Sequence, residues 1–177
     1  MYKKLIKELK TIIFVLYCRH TPRNSGENSL HSIRRGRLNM SLPNVAYFSM
    51  EIALDQSLKI YSGGLGFLAG SHMLSAGYLQ MPMVGVTMLW SYGYYDQRIA
   101  QDGQVEVAYI RKYYDFLEDT GATTEVDIFG EKVKVKAYLV KPELFGSCPV
   151  YLLTTDIEGN SDWAKSISHK LYDGNEK

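Results

Sequence analysis

The feature that most constrains the fold is a stretch with four glycines in ten residues, YSGGLGFLAG at residues 61–70, which leads into an apolar segment. From residue 65 to residue 79 apolar side chains recur at helical spacing, and this predicts a helix opened by the glycines. Short apolar runs at residues 45–50 and 83–89 predict two buried strands. Strand, loop, helix and strand in this order form the repeating unit of an α/β sheet.

The second half of the chain has a different pattern. A turn at Phe129 and Gly130 interrupts alternating sequence, and three lysines then alternate with apolar residues at positions 132, 134 and 136. This period of two predicts antiparallel strands whose lysines lie on a solvated face, although a lysine row can also bind an anion. We further expect a strand at residues 149–155 and a short helix at residues 162–172.

The first forty residues differ from the rest in charge. They carry nine Lys or Arg and two Asp or Glu, net +7, whereas the remaining residues are net −6. Their apolar run, TIIFVLYC at residues 11–18, is too short to span a bilayer. An export signal, a basic peripheral tail and a non-native leader before Met40 remain open, and we expect a disordered or non-native leader outside a domain of residues 41–177.

Composition excludes several classes of function. With 46% hydrophobic residues and a net charge of +1, the chain should bury a core and gives no sign of binding nucleic acid or a membrane. Two cysteines, Cys18 and Cys148, predict neither a disulfide framework nor a zinc site, and Cys148 is expected to be a small buried residue. No metal-ligand spacing is present among the four histidines.

The glycines themselves allow several interpretations. A glycine-rich turn entering a helix exposes N–H groups that suit a phosphate. Gly64, Gly66 and Ala69 match a dinucleotide fingerprint, but the preceding strand is distant and no acid occurs from residue 70 to residue 95. The Walker pattern fails because no Lys-Ser or Lys-Thr follows. A tight turn that only permits close helix packing remains the structural alternative.

Four segments in order resemble the amino-terminal part of the α-glucan phosphorylases, the glycogen and maltodextrin phosphorylase family. They are VAYFSMEIAL, YSGGLGFLAG, MPMVGVTMLWSYGYYDQRI and SDWAKSISHKLYDGN, within residues 44–175. The resemblance implies one Rossmann-like lobe of a two-lobed, GT-B type glycosyltransferase, with added antiparallel strands. It also implies a cytoplasmic enzyme that cleaves terminal α-1,4 links of a glucan with inorganic phosphate and releases glucose 1-phosphate.

The resemblance assigns the phosphate-binding role to backbone N–H groups of the GGLG turn, which here are those of Gly63, Gly64, Leu65 and Gly66. Preorganised donors of this kind suit a phosphate that attacks a carbon with developing positive charge. Glu51 corresponds to the family glutamate that lines the site, and we take it as the candidate catalytic residue with an orienting role.

Two further candidates are substrate contacts. Tyr94 lies in the Gly-Tyr segment, where an aromatic ring could stack on a sugar, although a buried aromatic cluster is the alternative. Arg98 is a candidate anion contact. Ser71 stands where the family's short branch commonly has Asp, so no function is carried over to it.

The family cofactor is pyridoxal 5′-phosphate, and no part of this chain corresponds to the carboxy-terminal lobe that carries its lysine. We therefore expect an amino-terminal fragment that is inactive alone, pairs with the missing lobe or forms a homo-oligomer, and exposes an apolar face. Two alternatives remain open at this point. One is a lobe of a nucleotide-sugar-dependent glucan synthase, and the other is a non-catalytic glucan-binding module or gene remnant.

Overall fold

The structure is a computed structural model that describes residues 45–172. The expected leader at residues 1–40 lies outside the described residues. The described part of the chain has seven strands and three helices, in the order β1 (Val45–Phe48), α1 (Gly64–Tyr78), β2 (Met83–Met88), β3 (Asp96–Ile99), β4 (Val105–Ala108), β5 (Glu118–Ile128), β6 (Glu131–Val140), α2 (Pro142–Phe145), β7 (Val150–Thr154) and α3 (Asp162–Ser166).

Five strands form one mixed sheet in the order β1-β2-β7-β6-β5. The β1, β2 and β7 strands are parallel, whereas β6 and β5 continue the sheet in antiparallel fashion. Strands β3 and β4 form a separate antiparallel pair. The predicted α/β class and the order of strand, helix and strand are confirmed, because β1, α1 and β2 form a parallel unit with a helical crossover. Strand β2 is buried as predicted, whereas β1 is mostly exposed because it lies at the end of the strand order.

The core lies on both sides of the central strand β7, whose five residues are all buried. On one side α1 contributes Ala69, Met73 and Ala76 to a cluster that includes Ile52 and Leu152. On the other side the inward residues of β6 pack with Ala164 of α3. Cys148 is buried beside Met73, as expected, and burial raises the pKa of its thiol to about 11.

The predicted hairpin turn is confirmed at Phe129 and Gly130, which both have positive φ between β5 and β6. The buried residues of β6 alternate with its lysines, and two of these lysines pair with aspartates of β5. The helix predicted at residues 162–172 is longer than the observed one, because α3 ends at Ser166 and the residues after it bond to the segment that follows β2. No helix within residues 45–172 has the length and hydrophobicity needed to cross a bilayer.

Candidate functional site

The start of α1 is open and has no side-chain cap. Gly63 is the N-cap residue and has no side chain to cap the helix, and the first turn contains no acidic residue. The first helical bond runs from the Phe67 N–H to the Gly63 carbonyl, at 3.1 Å. The N–H groups of Gly64, Leu65 and Gly66 therefore have no acceptor within the helix. Their partial positive charge favours an anion at this end.

Space is available around the first two glycines of the turn. A Cβ atom added at Gly63 or at Gly64 would meet no heavy atom within 4 Å. At Gly66, in contrast, it would lie 2.6 Å from Tyr61 Cβ, and at Gly70 it would lie 1.8 Å from the Ala53 carbonyl oxygen. The glycines thus have two different roles. The first two leave room for a ligand, whereas the later two let α1 pack tightly against the chain that follows β1.

Glu51 lies directly behind this turn, with only 1% of its surface exposed. Its Oε2 atom accepts hydrogen bonds from the Ser62 N–H at 2.7 Å and from the Gly63 N–H at 3.3 Å. The Ser62 hydroxyl donates to the same oxygen at 3.1 Å. The carboxylate therefore fixes the backbone of the two residues that precede α1.

The electrostatics of Glu51 follow from these contacts. Burial by itself would raise the pKa of its carboxyl group, but hydrogen bonds from Ser62, Tyr172 and Gly63 outweigh it and lower the pKa below its ordinary value. Donors that bond to the charged form stabilise that form. Glu51 is therefore ionised at neutral pH, and its negative charge is held on the protein side of the turn.

Tyr172, at the other end of the described chain, makes a further hydrogen bond to Glu51. Its hydroxyl donates to Glu51 Oε1 at 2.7 Å. The Leu171 N–H bonds to the Gly93 carbonyl at 3.0 Å, which anchors Tyr172 to the segment after β2. Gly93 has φ of 62°, and a Cβ atom there would lie 2.3 Å from the Lys59 carbonyl oxygen. Only glycine fits this close approach.

Tyr94 is brought to the same place. Its ring packs edge-on against Tyr172, with 6.1 Å between centroids, and lies 4.2 Å from the ring of Tyr95. Burial, the hydrogen bond with Tyr95 and the negative charge of Glu51 are among the causes that raise the pKa of Tyr94. The structure therefore places Tyr94 beside Glu51, within an aromatic cluster.

Arg98 is placed differently. It lies on the exposed face of β3, opposite Glu106 of β4. Within residues 45–172, no hydrogen bond or ion pair joins its side chain to the turn at residues 63–66. The structure brings Glu51, Tyr94 and the glycines together, and it does not bring Arg98 into contact with them.

A second feature borders the site and had no signal in the sequence. A cleft of about 210 Å³ lies beyond the ends of β2 and β7, and Trp90, Arg111 and Asp156 are among its lining residues. Asp156 accepts from Ser91 Oγ at 2.6 Å and pairs with Arg111. Burial by itself would raise the pKa of the Asp156 carboxyl group, but the hydrogen bonds from Ser91 and Arg111 outweigh it and lower that pKa. Trp90 donates its indole N–H to the Met50 carbonyl at 2.8 Å, which links the cleft wall to the segment carrying Glu51.

Several known proteins that are similar to this chain are named glycogen or maltodextrin phosphorylases. The chain is 34% identical over 137 residues to a glycogen phosphorylase of Aquifex aeolicus, and the matched region covers 72% of the chain and 19% of that protein. It is 34% identical over 136 residues to a maltodextrin phosphorylase of Thermococcus litoralis, which covers 72% of the chain and 16% of that protein. The chain belongs to the α-glucan phosphorylase family.

The match to the α-glucan phosphorylases concerns a limited part of each relative. An uncharacterized protein of Methanocaldococcus jannaschii is 56% identical over 130 residues, which make up 73% of this chain and 25% of that protein. The chain thus spans a quarter or less of the length of these relatives. No protein-family model matches the chain.

Sequence reasoning missed Tyr172 as a site residue of this phosphorylase-related chain. It lies 121 positions from Glu51, and its position depends on backbone bonds formed between distant segments. A tyrosine in a polar segment gives no local signal of such a contact. The structure therefore adds Tyr172 to the residues that the resemblance had indicated.

Proposed function

We propose that this chain provides the phosphate-binding wall of an α-glucan phosphorylase cleft, for the phosphorolysis of terminal α-1,4-glucosyl units to glucose 1-phosphate. One observation carries the proposal: the first turn of α1 has N–H groups without an acceptor in the helix, a Cβ added at Gly63 or Gly64 would meet nothing within 4 Å, and the buried, ionised Glu51 holds the residues just before that turn. A dianionic ligand at this point would meet donors that are already oriented.

Glu51 acts in this proposal as a positioning residue. Its oxygens accept from Ser62, Gly63 and Tyr172, so the carboxylate holds the turn without bonding to the N–H groups of Gly64 and Leu65, which we assign to phosphate. Its charge also limits where an anion can lie, because like charges repel across a short distance. Phosphate is therefore held at the helix start and away from the carboxylate.

The aromatic cluster beside Glu51 suits the glucan. Tyr94 and Tyr172 pack edge to face, with 6.1 Å between their ring centroids, and aromatic rings beside the turn suit contact with a sugar ring. We assign Tyr94 to a substrate contact. Arg98 lies on the exposed face of β3, without a hydrogen bond or ion pair to the turn among the described residues, and we assign it no direct role.

The family cofactor fits this arrangement in one respect. Pyridoxal phosphate supplies a phosphate group next to the reacting phosphate when it is bound, and the donors at Gly64 to Gly66 suit either group. The lysine that holds the cofactor, and the basic residues that grip the substrate phosphate, belong by resemblance to a second lobe. One lobe cannot hold the cofactor and the substrate phosphate together or supply the basic residues that bind them, so the 177-residue chain alone is expected to be inactive.

The activity test uses the purified chain with maltodextrin, inorganic phosphate and pyridoxal phosphate, and it measures glucose 1-phosphate. We expect no sustained release. The full-length Methanocaldococcus jannaschii relative, assayed in parallel, is expected to release glucose 1-phosphate. Turnover by the 177-residue chain would contradict the single-wall proposal, and an inactive full-length relative would contradict the assignment of phosphorolysis.

A further inference from the structure

A buried hydroxyl group that the proposed function does not use lies where three segments of the chain meet. Ser168 follows α3, and 0% of its surface is exposed. Its Oγ atom accepts hydrogen bonds from the N–H group and from the hydroxyl group of Thr155, both at 3.1 Å. The same atom lies 3.1 Å from Oγ1 of Thr154, the buried residue that ends β7. The Ser168 side chain therefore attaches the segment after α3 to the end of the central strand.

The number of protons fixes the direction of the bond between Ser168 and Thr154. Ser168 Oγ already accepts two bonds from Thr155, and a hydroxyl oxygen has two lone pairs, so its own proton remains for donation. Thr154 Oγ1 is the partner that can accept it, and this oxygen also accepts from the Asp156 N–H at 3.1 Å. Ser168 thus uses all of its hydrogen-bonding capacity. Loss of its hydroxyl group would leave buried donors without an acceptor.

The backbone of the same segment pairs with the residues that follow β2. The Ser91 and Tyr92 N–H groups donate to the carbonyls of Ser168 and His169, at 2.9 and 2.8 Å, and the bond from the Leu171 N–H continues this pairing. Backbone bonds alone specify the register of such a pair weakly, because each residue offers the same two groups. A side chain that fits only one position has to select the register.

Ser168 is the side chain that can select it. Among residues 167–171 it alone carries a hydroxyl group, so a slip would bring a residue without one to the end of β7. A slip of one residue would also move Tyr172 by about 3.3 Å along the strand direction. The bond from the Tyr172 hydroxyl to Glu51 is 2.7 Å long, and a hydrogen bond does not tolerate a displacement of that size.

We infer that Ser168 is a positioning residue for the candidate site: its hydroxyl group ties the segment after α3 to β7 and so holds Tyr172 on Glu51. This role rests on the proposed function and adds a residue to the same site. Within residues 45–172, Ser168 makes no hydrogen bond to Glu51 or to the turn that opens α1. Its effect on Glu51 therefore passes through Tyr172.

The pKa of the Glu51 carboxyl group, measured by carbon-detected NMR, tests this role in the 177-residue chain. Ser168→Ala should raise that pKa, because loss of the Tyr172 bond removes one of the contacts that lower it. The substitution should also abolish nuclear Overhauser contacts between the rings of Tyr94 and Tyr172, whose centroids lie 6.1 Å apart. Either an unchanged Glu51 pKa or intact ring contacts in folded Ser168→Ala would overturn the inference.

A double substitution shows whether Ser168 acts through Tyr172. Tyr172→Phe removes the same bond to Glu51 directly, so the two changes are not independent. Ser168→Ala should therefore cause no further rise of the Glu51 pKa in a Tyr172→Phe background. Additive increases would mean that Ser168 reaches Glu51 by another route, and they would overturn the proposed role.

Ser147→Ala is the matched control for the loss of a buried serine hydroxyl. Ser147 is 2% exposed, and its Oγ atom donates to the Cys148 carbonyl at 2.8 Å, away from the segment after α3. Its replacement should lower the melting temperature but leave the Glu51 pKa and the tyrosine ring contacts as they are. If Ser168 only stabilised the fold, the two serine variants would behave alike in all three measurements.

A milder pair of variants applies if Ser168→Ala does not fold. Thr155→Val removes one hydroxyl donor to Ser168, whereas Thr155→Ser keeps it. The Glu51 pKa should rise in Thr155→Val and should keep the value of the parent chain in Thr155→Ser. Equal pKa values in these two variants would contradict an ordering role of the hydroxyl cluster.

These measurements need neither phosphate nor catalysis. A Glu51 pKa that responds to Ser168→Ala in a chain that binds no phosphate would leave the positioning role standing and would remove the proposed phosphate site. Phosphate binding at the start of α1, with a Glu51 pKa that is insensitive to Ser168→Ala, would do the reverse.

Discussion

The hydroxyl group of Tyr172 donates a hydrogen bond to Glu51 Oε1 at 2.7 Å, across 121 positions of sequence. The other carboxylate oxygen of Glu51 holds the Ser62 and Gly63 N–H groups. One buried acid therefore joins the end of the described chain to the turn that opens α1. The predictions below concern this connection and the donors that it orders.

Replacement of Glu51 by Gln should destabilise the protein by about 2 kcal/mol, because the hydrogen bonds from the Ser62 and Gly63 N–H groups and from the Tyr172 hydroxyl would lose the charge of their acceptor, and the amide NH2 group can accept none of them. Urea unfolding followed by circular dichroism measures the change. Glu158→Gln, at an exposed carboxylate, should stay within about 0.5 kcal/mol of the parent. An equal effect of both substitutions would show that the Glu51 contacts contribute little.

Replacement of Tyr172 by Phe should remove one hydrogen bond to a charged group, at a cost of about 1.5 kcal/mol, and should raise the pKa of Glu51. Carbon-detected NMR of the Glu51 carboxyl group measures that pKa directly. Tyr113→Phe, at a strongly exposed tyrosine, serves as the control. An unchanged Glu51 pKa in Tyr172→Phe would contradict the hydrogen bond.

Stability should decrease on the acid side. The pKa of Glu51 in the folded protein lies below its ordinary value of 4.5, so its contribution is fully present above pH 4.5 and is lost as pH falls through the lower, folded value. Asp156 acts in the same direction below its ordinary value of 3.8. Free energies of unfolding measured between pH 7 and pH 3 should therefore fall less steeply in Glu51→Gln. Parallel curves would mean that Glu51 does not titrate with a depressed pKa.

Two glycine substitutions should separate packing from ligand access. Gly70→Ala should destabilise the protein by about 3 kcal/mol, because its Cβ would lie 1.8 Å from the Ala53 carbonyl oxygen and α1 would have to move. Gly64→Ala should change stability by about 0.5 kcal/mol or less, since its Cβ meets nothing within 4 Å. Thermal unfolding of both variants checks this, and similar melting temperatures would contradict the close packing of α1.

The sequence predicted the β1–α1–β2 unit because its signals are local. Apolar spacing, glycines before the helix and short apolar runs act within a few residues of each other. The same is true of the turn at Phe129 and Gly130. Strands β3 and β4 gave no such signal, because they are mostly exposed and lack alternating burial.

Tertiary contacts explain the differences from expectation. The helix expected at residues 162–172 ends at Ser166, because the Ser168 and His169 carbonyls accept bonds from Ser91 and Tyr92 instead of continuing the helix. The same bonds place Tyr172 on Glu51. Glu51 was recognised only through its family resemblance, since an acid after a strand otherwise reads as a surface residue.

The measurement that tests the central claim most directly is a titration of the chain with inorganic phosphate, followed by amide chemical shifts in NMR. Gly64→Pro removes one N–H donor at a helix position that tolerates proline, whereas Gly64→Ala keeps it. We expect saturable shifts at Leu65 and Gly66 in the parent and in Gly64→Ala, and about tenfold weaker binding in Gly64→Pro, as for the loss of one hydrogen bond to a charged ligand. Equal affinity of the two variants, or shifts confined to the lysines of β6, would contradict a phosphate site at the start of α1.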